Sequence, residues 1–281
     1  MAKLIQYATK ASFYDGPFGE DGVPWISAGM GYVIITDTGH LIVIDGGHDK
    51  DAEDFLSLLK DRAGGIPVVD TWIITHPHKD HYGVLYEISK RQDIRESIRI
   101  NEVVYRFPEE FKDGEGNNIH PAIDIMDSVI TSTGAIHTVP KEGDTVKVDN
   151  ISVRFLFVPD DLSLTFGPND LSLIFMIDTK EKRLLFTGDA GRQNLRYVAD
   201  RYGSEIKCDV LQLPHHGLCD TGHGRFYDAA DADTVLIPTS KAGYRSMCSD
   251  RYGDAPEVNK NAEDRASFVY RSFEGTVKID L

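Results

Sequence analysis

Cysteine is scarce in this chain, with three residues (Cys208, Cys219 and Cys248) among 281. They are too few and too far apart for a disulfide framework or a cysteine-ligated zinc knuckle, and a reducing, cytoplasmic setting is the expectation. No run approaches the roughly 18 consecutive apolar residues of a membrane helix. The opening stretch MAKLIQYATKASFYDG holds no apolar h-region, so no secretory signal is expected. Clusters of lysine and arginine are missing, as is any interleaving of basic with aromatic residues. With 30 Lys plus Arg against 45 Asp plus Glu, the formal charge is −15. A surface that acidic repels a phosphate backbone at long range and argues against a long nucleic acid as substrate. A local basic pocket could still hold a small anion.

There is also no low-complexity tract, no repeat of fixed period and no Pro/Ser linker. The loopiest stretch, DGEGNN at 113–118, reads as a surface excursion, so one domain over 1–281 is expected. Hydrophobic residues make up 41% of the chain, enough for a sizeable core. Short β-rich runs alternate with helical patterns. YVIIT (32–36) and HLIVID (40–45) flank DTGH as a hairpin, and DAEDFLSLLKDRAGG follows with helical spacing and Gly64 as its stop. Strands are expected at 70–75, 101–107, 144–148, 151–158, 171–178, 183–189, 208–214 and 234–238, with SFVYR and GTVKIDL closing the chain. Helices are expected near 81–90, 121–134, 191–202 and 224–232. Many strands punctuated by helices suggest two facing sheets with helices on the outsides, an α+β architecture.

The densest chemistry follows the apolar run WIIT. His76 and His78 stand two apart at a strand end, where alternate side chains point the same way, so both can face one ion. Asp80 and His81 follow as the chain turns into a helix, offering a second pair. Neutral imidazole and carboxylate are the ligands of Zn²⁺ and similar ions. Two ions need further ligands at other strand ends, and LLFTGDAG presents Asp189 while VLQLPHHG presents His215 and His216.

LIVIDGG, THPHKDHYG, RLLFTGDA and LQLPHHG, in that order between residues 41 and 217, resemble the metallo-β-lactamase superfamily. GPNDLSLIF with the TGD and PHHG forms is similar to the branch holding the ComEC-type competence domain and phosphorylcholine esterases. The resemblance implies a four-layer αββα sandwich with a dinuclear site, usually zinc, with manganese or iron as alternatives. By position it assigns His76 and His78 to the first ion, Asp80 and His81 to the second, and Asp189 to the bridge. One histidine of the pair supplies the last ligand; the alignment favours His216, with His215 behind it. Asp45 matches a residue that supports the site by hydrogen bonding. The superfamily's further histidine after a middle strand is replaced here by GPNDLS, so Asn169 or Asp170 could complete the first ion's shell. His120, His137 and His223 read as surface or loop residues.

The chemistry implied is metal-assisted hydrolysis. Two ions about 3.5–4 Å apart lower the pKa of water from about 15.7 towards 7. Asp80 and Asp189 are then the catalytic carboxylates, and Cys219, which lacks a distinct base, reads as structural. The stretch PTSKAGYRSMCSDRYGD is expected as a rim loop whose Lys241, Tyr244 and Arg245 contact an anionic substrate. Lys79 is a further candidate. A phosphodiester or ester of a small anion is the expected substrate. A di-iron oxidoreductase, a competence-type nuclease and a non-catalytic metal-binding module are the alternatives.

Overall fold

The computed structural model describes residues 1–17, 27–63, 65–218, 223–247 and 255–281. Cys219 and Cys248, and Gly64 at the expected helix stop, lie outside them. The chain begins with β1 (Lys3–Gln6), then the hairpin of β2 (Gly31–Ile35) and β3 (Leu41–Asp45). Next come α1 (Ala52–Ala63), β4 (Val68–Ile73), α2 (Lys79–Lys90) and α3 (Gln92–Arg95). The short β5 (Arg99–Ile100) and β6 (Glu102–Val104) precede α4 (His120–Thr133) and β7 (Ile136–Thr138). An antiparallel run of β8 (Thr145–Val148), β9 (Ile151–Phe157), β10 (Ile174–Asp178) and β11 (Arg183–Phe186) follows. The last third holds α5 (Arg192–Tyr202), β12 (Val210–Gln212), α6 (Gly224–Ala230), β13 (Thr234–Ile237) and α7 (Lys241–Met247). It closes with α8 (Ala255–Arg265), β14 (Phe268–Arg271) and β15 (Val277–Asp280).

Two mixed sheets result. The first runs β15-β1-β2-β3-β4-β6-β7, with β5 also on β4, and the second runs β14-β13-β12-β11-β10-β9-β8. Alternation along each strand divides its apolar residues between two faces. In β2 and β3, Tyr32, Ile34, Ile42 and Ile44 meet Phe155, Phe175 and Phe186 of the second sheet. Their neighbours Val33, Leu41 and Val43 pack outward against Phe55 of α1 and Val84, Leu85 and Ile88 of α2. On the far side, Met176, Leu185, Leu211 and Val235 pack against Leu195 and Val198 of α5 and Phe226 of α6. Strands buried on both faces read as continuous hydrophobic runs, which is why LIVID and LIFMID look as they do. Each fully buried large side chain contributes about 1.5–3 kcal/mol, so the three apolar layers hold the four structural layers together. The expected α+β sandwich of two sheets between helices is the fold observed.

Several boundaries differ from expectation. The segment before β10 is a tight turn over Pro168–Leu171, because the Asp170 carboxylate accepts the backbone N–H of Phe166 and Gly167. The strand at 101–107 ends at Val104, short of Pro108. The expected loop after β13 contains α7, whose start is held by the Ser240 hydroxyl accepting Gly243 N–H, while Ala242, Gly243 and Met247 are buried. Strands β1 and β7 and helix α8 were not expected from the pattern. Cys208 is buried, and burial followed by the charge of Asp209 pushes its thiol up to about 12, so it is no nucleophile at neutral pH. No helix among the described residues is long and apolar enough to cross a membrane.

Strands β3 and β4 are parallel, as are β11 and β12, and their C-terminal ends come together at one edge of the sandwich. Helix α2 is pinned there at Gly83. A Cβ on Gly83 would stand 2.5 Å from Asp49 N, 2.6 Å from His48 C and 2.7 Å from Gly47 O, all backbone atoms. Alanine in a helix ordinarily gains up to about 1 kcal/mol over glycine. Overpacking against immovable backbone costs about 1–3 kcal/mol and wins here. Gly83→Ala is therefore expected to lower stability by about 1–2 kcal/mol in urea titration, where helix propensity alone would raise it.

Candidate metal centre

Most of the functional side chains sit just past a strand end, while Asp80 and His81 lie in the first turn of α2. His76 follows β4 by three residues, Asp189 follows β11 by three, and His215 and His216 follow β12 by three and four. The chain must turn sharply to aim them. Asp45, His215 and His216 adopt left-handed φ values of 52°, 47° and 57°, three of the five non-glycine residues with positive φ among those described. Such backbone costs on the order of 1–3 kcal/mol per residue and persists only where surroundings impose it. Gly188 at φ 53° does similar work for Asp189: a Cβ there would meet Thr75, just past β4, and Ser172, just before β10, at 2.9 Å. Its neighbourhood is locked by the buried Gln212 side chain, which accepts Thr187 and Gly188 N–H at 2.9 Å each. Asp189 N–H donates to Ser172 Oγ at 2.9 Å.

Three imidazoles are held at Nδ1 so that Nε2 points inward. His81 Nδ1 lies 2.8 Å from Asp45 Oδ2, and His216 Nδ1–H donates to the Pro238 carbonyl at 2.7 Å. The Thr75 hydroxyl donates to Asp45 Oδ2 at 2.9 Å, so the 3.1 Å contact between His76 Nδ1 and Thr75 Oγ1 is donated by the imidazole. Asp45 also accepts Thr75 N–H at 2.9 Å and is fully buried. Fixing the outer nitrogen sets tautomer and ring orientation together.

The inner atoms converge. Asp189 Oδ2 is 3.4 Å from His81 Nε2, 3.4 Å from His216 Nε2, 3.6 Å from His76 Nε2 and 4.0 Å from His215 Nε2. Asp80 Oδ2 is 3.4 Å from both His81 Nε2 and His216 Nε2. His76, His81 and Asp189 form one group whose donor atoms lie within 4.8 Å of one another, and Asp80, His81 and His216 form a second. Donors about 2.0–2.1 Å from a tetrahedral Zn²⁺ lie roughly 3.3–3.4 Å apart, which is the separation seen along four of these edges. Buried His81 Nε2 and Asp189 Oδ1 have no hydrogen-bond partner among the described residues. An unsatisfied buried polar atom costs about 1–3 kcal/mol, and a cation between these groups would satisfy both. The residues present fit divalent ions.

The electrostatics agree. Burial works against charge on Asp189, but His216, His81 and His76 outweigh it and hold its carboxyl well below the usual range. Asp80 is likewise low, burial being outweighed by His81 and His216. Burial opposes protonation of His81, yet Asp189, Asp45 and Asp80 push its pKa well up. His216 rises to about 10, burial being overcome chiefly by Asp189. His76 moves the other way, through burial and then repulsion from His81, and burial also lowers His78. Both acceptor carboxylates are thus ionised and ready to meet a cation.

The expected site residues do not all converge equally. His78, at the N-terminus of α2, places Nδ1 3.0 Å from His76 Nε2 but belongs to neither three-residue group. His81 belongs to both groups, where a place on the second ion alone was expected. His215 is part-exposed and lies 3.1 Å from Asn169 Nδ2, whereas Asp170 turns to the backbone of its own loop. Lys241 pairs with Asp15 at 2.9 Å, Arg245 contacts the same carboxylate, and Tyr244 donates to Glu263 at 2.7 Å. Lys79 pairs with Asp49 at 2.8 Å. His120 contacts the Glu109 carbonyl, His137 stacks on Tyr105 at 3.9 Å, and His223 precedes α6. Sequence reasoning missed Thr75, Ser172 and Gln212, whose neighbours carry the motifs, and Ser27, which no motif marks. Ser27 Oγ donates to Asp80 and lies 3.0 Å from His216 Nε2.

Comparison with known proteins bears on the fold and the family. The profile of the metallo-beta-lactamase superfamily matches residues 28–238, most of the chain. The metallo-beta-lactamase fold protein YhfI from Bacillus subtilis is similar in structure, with a TM-score of 0.58, 14% identity, and coverage of 99% of this chain and 100% of that one. Zn(2+)-bound PqqB from Methylobacterium extorquens gives a TM-score of 0.60 at 13% identity, covering 100% of both chains. CmlA, a diiron beta-hydroxylase from Streptomyces venezuelae, gives 0.55 at 13% identity over 99% of this chain and 54% of that one. At such identities the likeness concerns the fold. No curated protein matches the sequence. With the profile spanning about three quarters of the 281 residues, the chain belongs to the metallo-β-lactamase superfamily.

Proposed function

We propose that the protein is a metal-dependent hydrolase holding two divalent ions, zinc first, and acting on a phosphodiester or ester of a small anionic substrate. The observation that carries this is the convergence of His76, His81 and Asp189 in one group and of Asp80, His81 and His216 in a second, with imidazole–carboxylate edges of 3.4 Å and orphaned atoms facing inward. When bound, two such ions supply an acidified water and stabilise charge that develops on the reacting group. The chain's own residues do the rest. Asp189 Oδ2, near His76 and His81 of the first group and His216 of the second, would be shared by the two positions and set their spacing. Asp80, His81 and His216 hold the second position. His76, with His78 beside it, holds the first; His215 Nε2 stands 4.0 Å from Asp189 and 3.1 Å from Asn169 Nδ2, which makes Asn169 the nearer of the two loop residues to this position. Asp45, at His81 Nδ1, turns the ring so that Nε2 faces the cluster.

Substrate contacts are assigned to Lys241 and Arg245, with Tyr244 as wall between them and the core. Their pairing with Asp15 is exposed, and exposed pairs contribute only about 0–1 kcal/mol, so an anionic group could displace it. The GPNDLS, TGD and PHHG forms support a place near the competence and phosphorylcholine esterase branch, and with it phosphodiester over lactone or amide. A redox reading has one observation in its favour, the fold shared with a diiron beta-hydroxylase. Iron retained through purification without added metal, with no hydrolysis across a panel of phosphodiesters, phosphomonoesters and lactones, would favour it.

Replacing one group that stabilises developing charge typically costs on the order of 100-fold or more in rate. Asp80→Ala is accordingly expected to keep its circular dichroism spectrum while losing at least about 100-fold in hydrolysis of model phosphodiesters. A folded variant with wild-type rate would sink the hydrolase reading.

The formal charge of −15 bears on substrate size. A long polyanion meets net repulsion, and binding that relied on many phosphate contacts would fall steeply with salt. Small phosphodiesters such as phosphocholine derivatives are expected to be cleaved faster than single-stranded DNA at matched bond concentration. Preference for the polymer, abolished by added salt, would reverse this assignment and point to the nuclease.

A further inference from the structure

Ser27 lies far from every motif in sequence, yet its hydroxyl reaches the centre of the site. Its Oγ accepts Gly29 N–H at 3.1 Å, donates to Asp80 Oδ2, and stands 3.0 Å from His216 Nε2. A serine hydroxyl turned back on a backbone N–H two residues on is a common turn device. That device accounts for the first contact and for neither of the others.

The segment carrying Ser27 is pinned to the framework of the site. His48 Nε2–H donates to the Ser27 carbonyl at 2.9 Å, and Thr9 donates to the Ala28 carbonyl. Met30 N–H donates to the Asp80 carbonyl at 3.2 Å, and the Met30 carbonyl accepts Gly46 N–H at 2.9 Å. Ser27 is thereby fixed relative to Asp80 itself and to the turn after Asp45. Its half-buried hydroxyl faces two of the three side chains that make up the second group.

We propose that Ser27 Oγ is a further oxygen donor to the second ion, beside Asp80, His81, His216 and the shared Asp189. The assignment rests on the two-ion reading of the cluster. Two donors about 2.0–2.1 Å from one ion and at right angles to each other stand roughly 2.9 Å apart. The 3.0 Å between Ser27 Oγ and His216 Nε2 matches that edge, shorter than the 3.4 Å edges among the other donors. Ser27 thus takes the place of a fifth donor and not of a tetrahedral one. A neutral alcohol also suits the position, because it adds a hard oxygen without adding charge to a site that already carries Asp45, Asp80 and Asp189.

Cobalt(II) titration of the full chain tests this by two readouts other than activity: equilibrium dialysis and the electronic spectrum. Ser27→Cys carrying two equivalents is expected to show a thiolate-to-cobalt charge-transfer band that wild type lacks. Ser27→Ala is expected to bind its second equivalent about tenfold more weakly, the lower end of what a supporting group contributes, with the first equivalent unchanged. Ser27→Cys with two equivalents and no such band, or Ser27→Ala with wild-type affinity for both, would overturn the assignment. Wild type that fails to take up two equivalents would instead overturn the two-ion reading on which it rests.

Discussion

One carboxylate oxygen, Asp189 Oδ2, lies within 4.0 Å of four imidazole nitrogens contributed by both halves of the sandwich. Burial alone would make this carboxylate costly, since an isolated charge in such surroundings is disfavoured by many kilocalories. The histidines compensate it, and each of His76, His81 and His216 is turned towards it by a bond at the opposite ring nitrogen. The same logic repeats one layer out, where Asp45 is buried and satisfied by Thr75 and His81. The cluster is therefore a set of mutually dependent charges, in which removal of one leaves another buried without compensation.

The fold supplies what that arrangement requires. Two parallel strand pairs, one in each sheet, end at the same edge, and left-handed turns at Asp45, Gly188, His215 and His216 direct side chains into the seam. Gly188 lets the strand ends of both sheets close on Thr75 and Ser172, and Gly83 lets α2 seat on the backbone at 47–49. Strain accumulated in these turns is opposed by the three apolar layers. Stability made in the core is thus what permits unfavourable backbone at the edge.

Much of this was legible in the sequence because its signals are local. The HPHKDH run, TGD and PHHG each put their residues within a few positions of a strand end, so period-two geometry and ligand chemistry suffice to read them. The strands were legible for the same reason, as unbroken apolar runs. What escaped depends on contacts between distant segments. Ser27 reaches Asp80 across 53 positions. Lys241 and Arg245 read as free cations until Asp15, some 230 positions away, is seen beside them. Asp170 read as an available ligand, whereas the local turn claims it. Helix α8 was missed because its sequence APEVNKNAEDR has too few apolar residues to mark a face, and its order comes from packing Val258 and Ala262 on the second sheet.

The proposed pair of divalent ions would make Asp189 the residue shared by both. Equilibrium dialysis against zinc, followed by elemental analysis of wild type and of Asp189→Asn, measures it most directly. Two equivalents bound by wild type, and one or none by a folded Asp189→Asn chain, is the expected result. A folded wild type that retains no zinc, or an Asp189→Asn chain that still holds two ions as tightly, would contradict it.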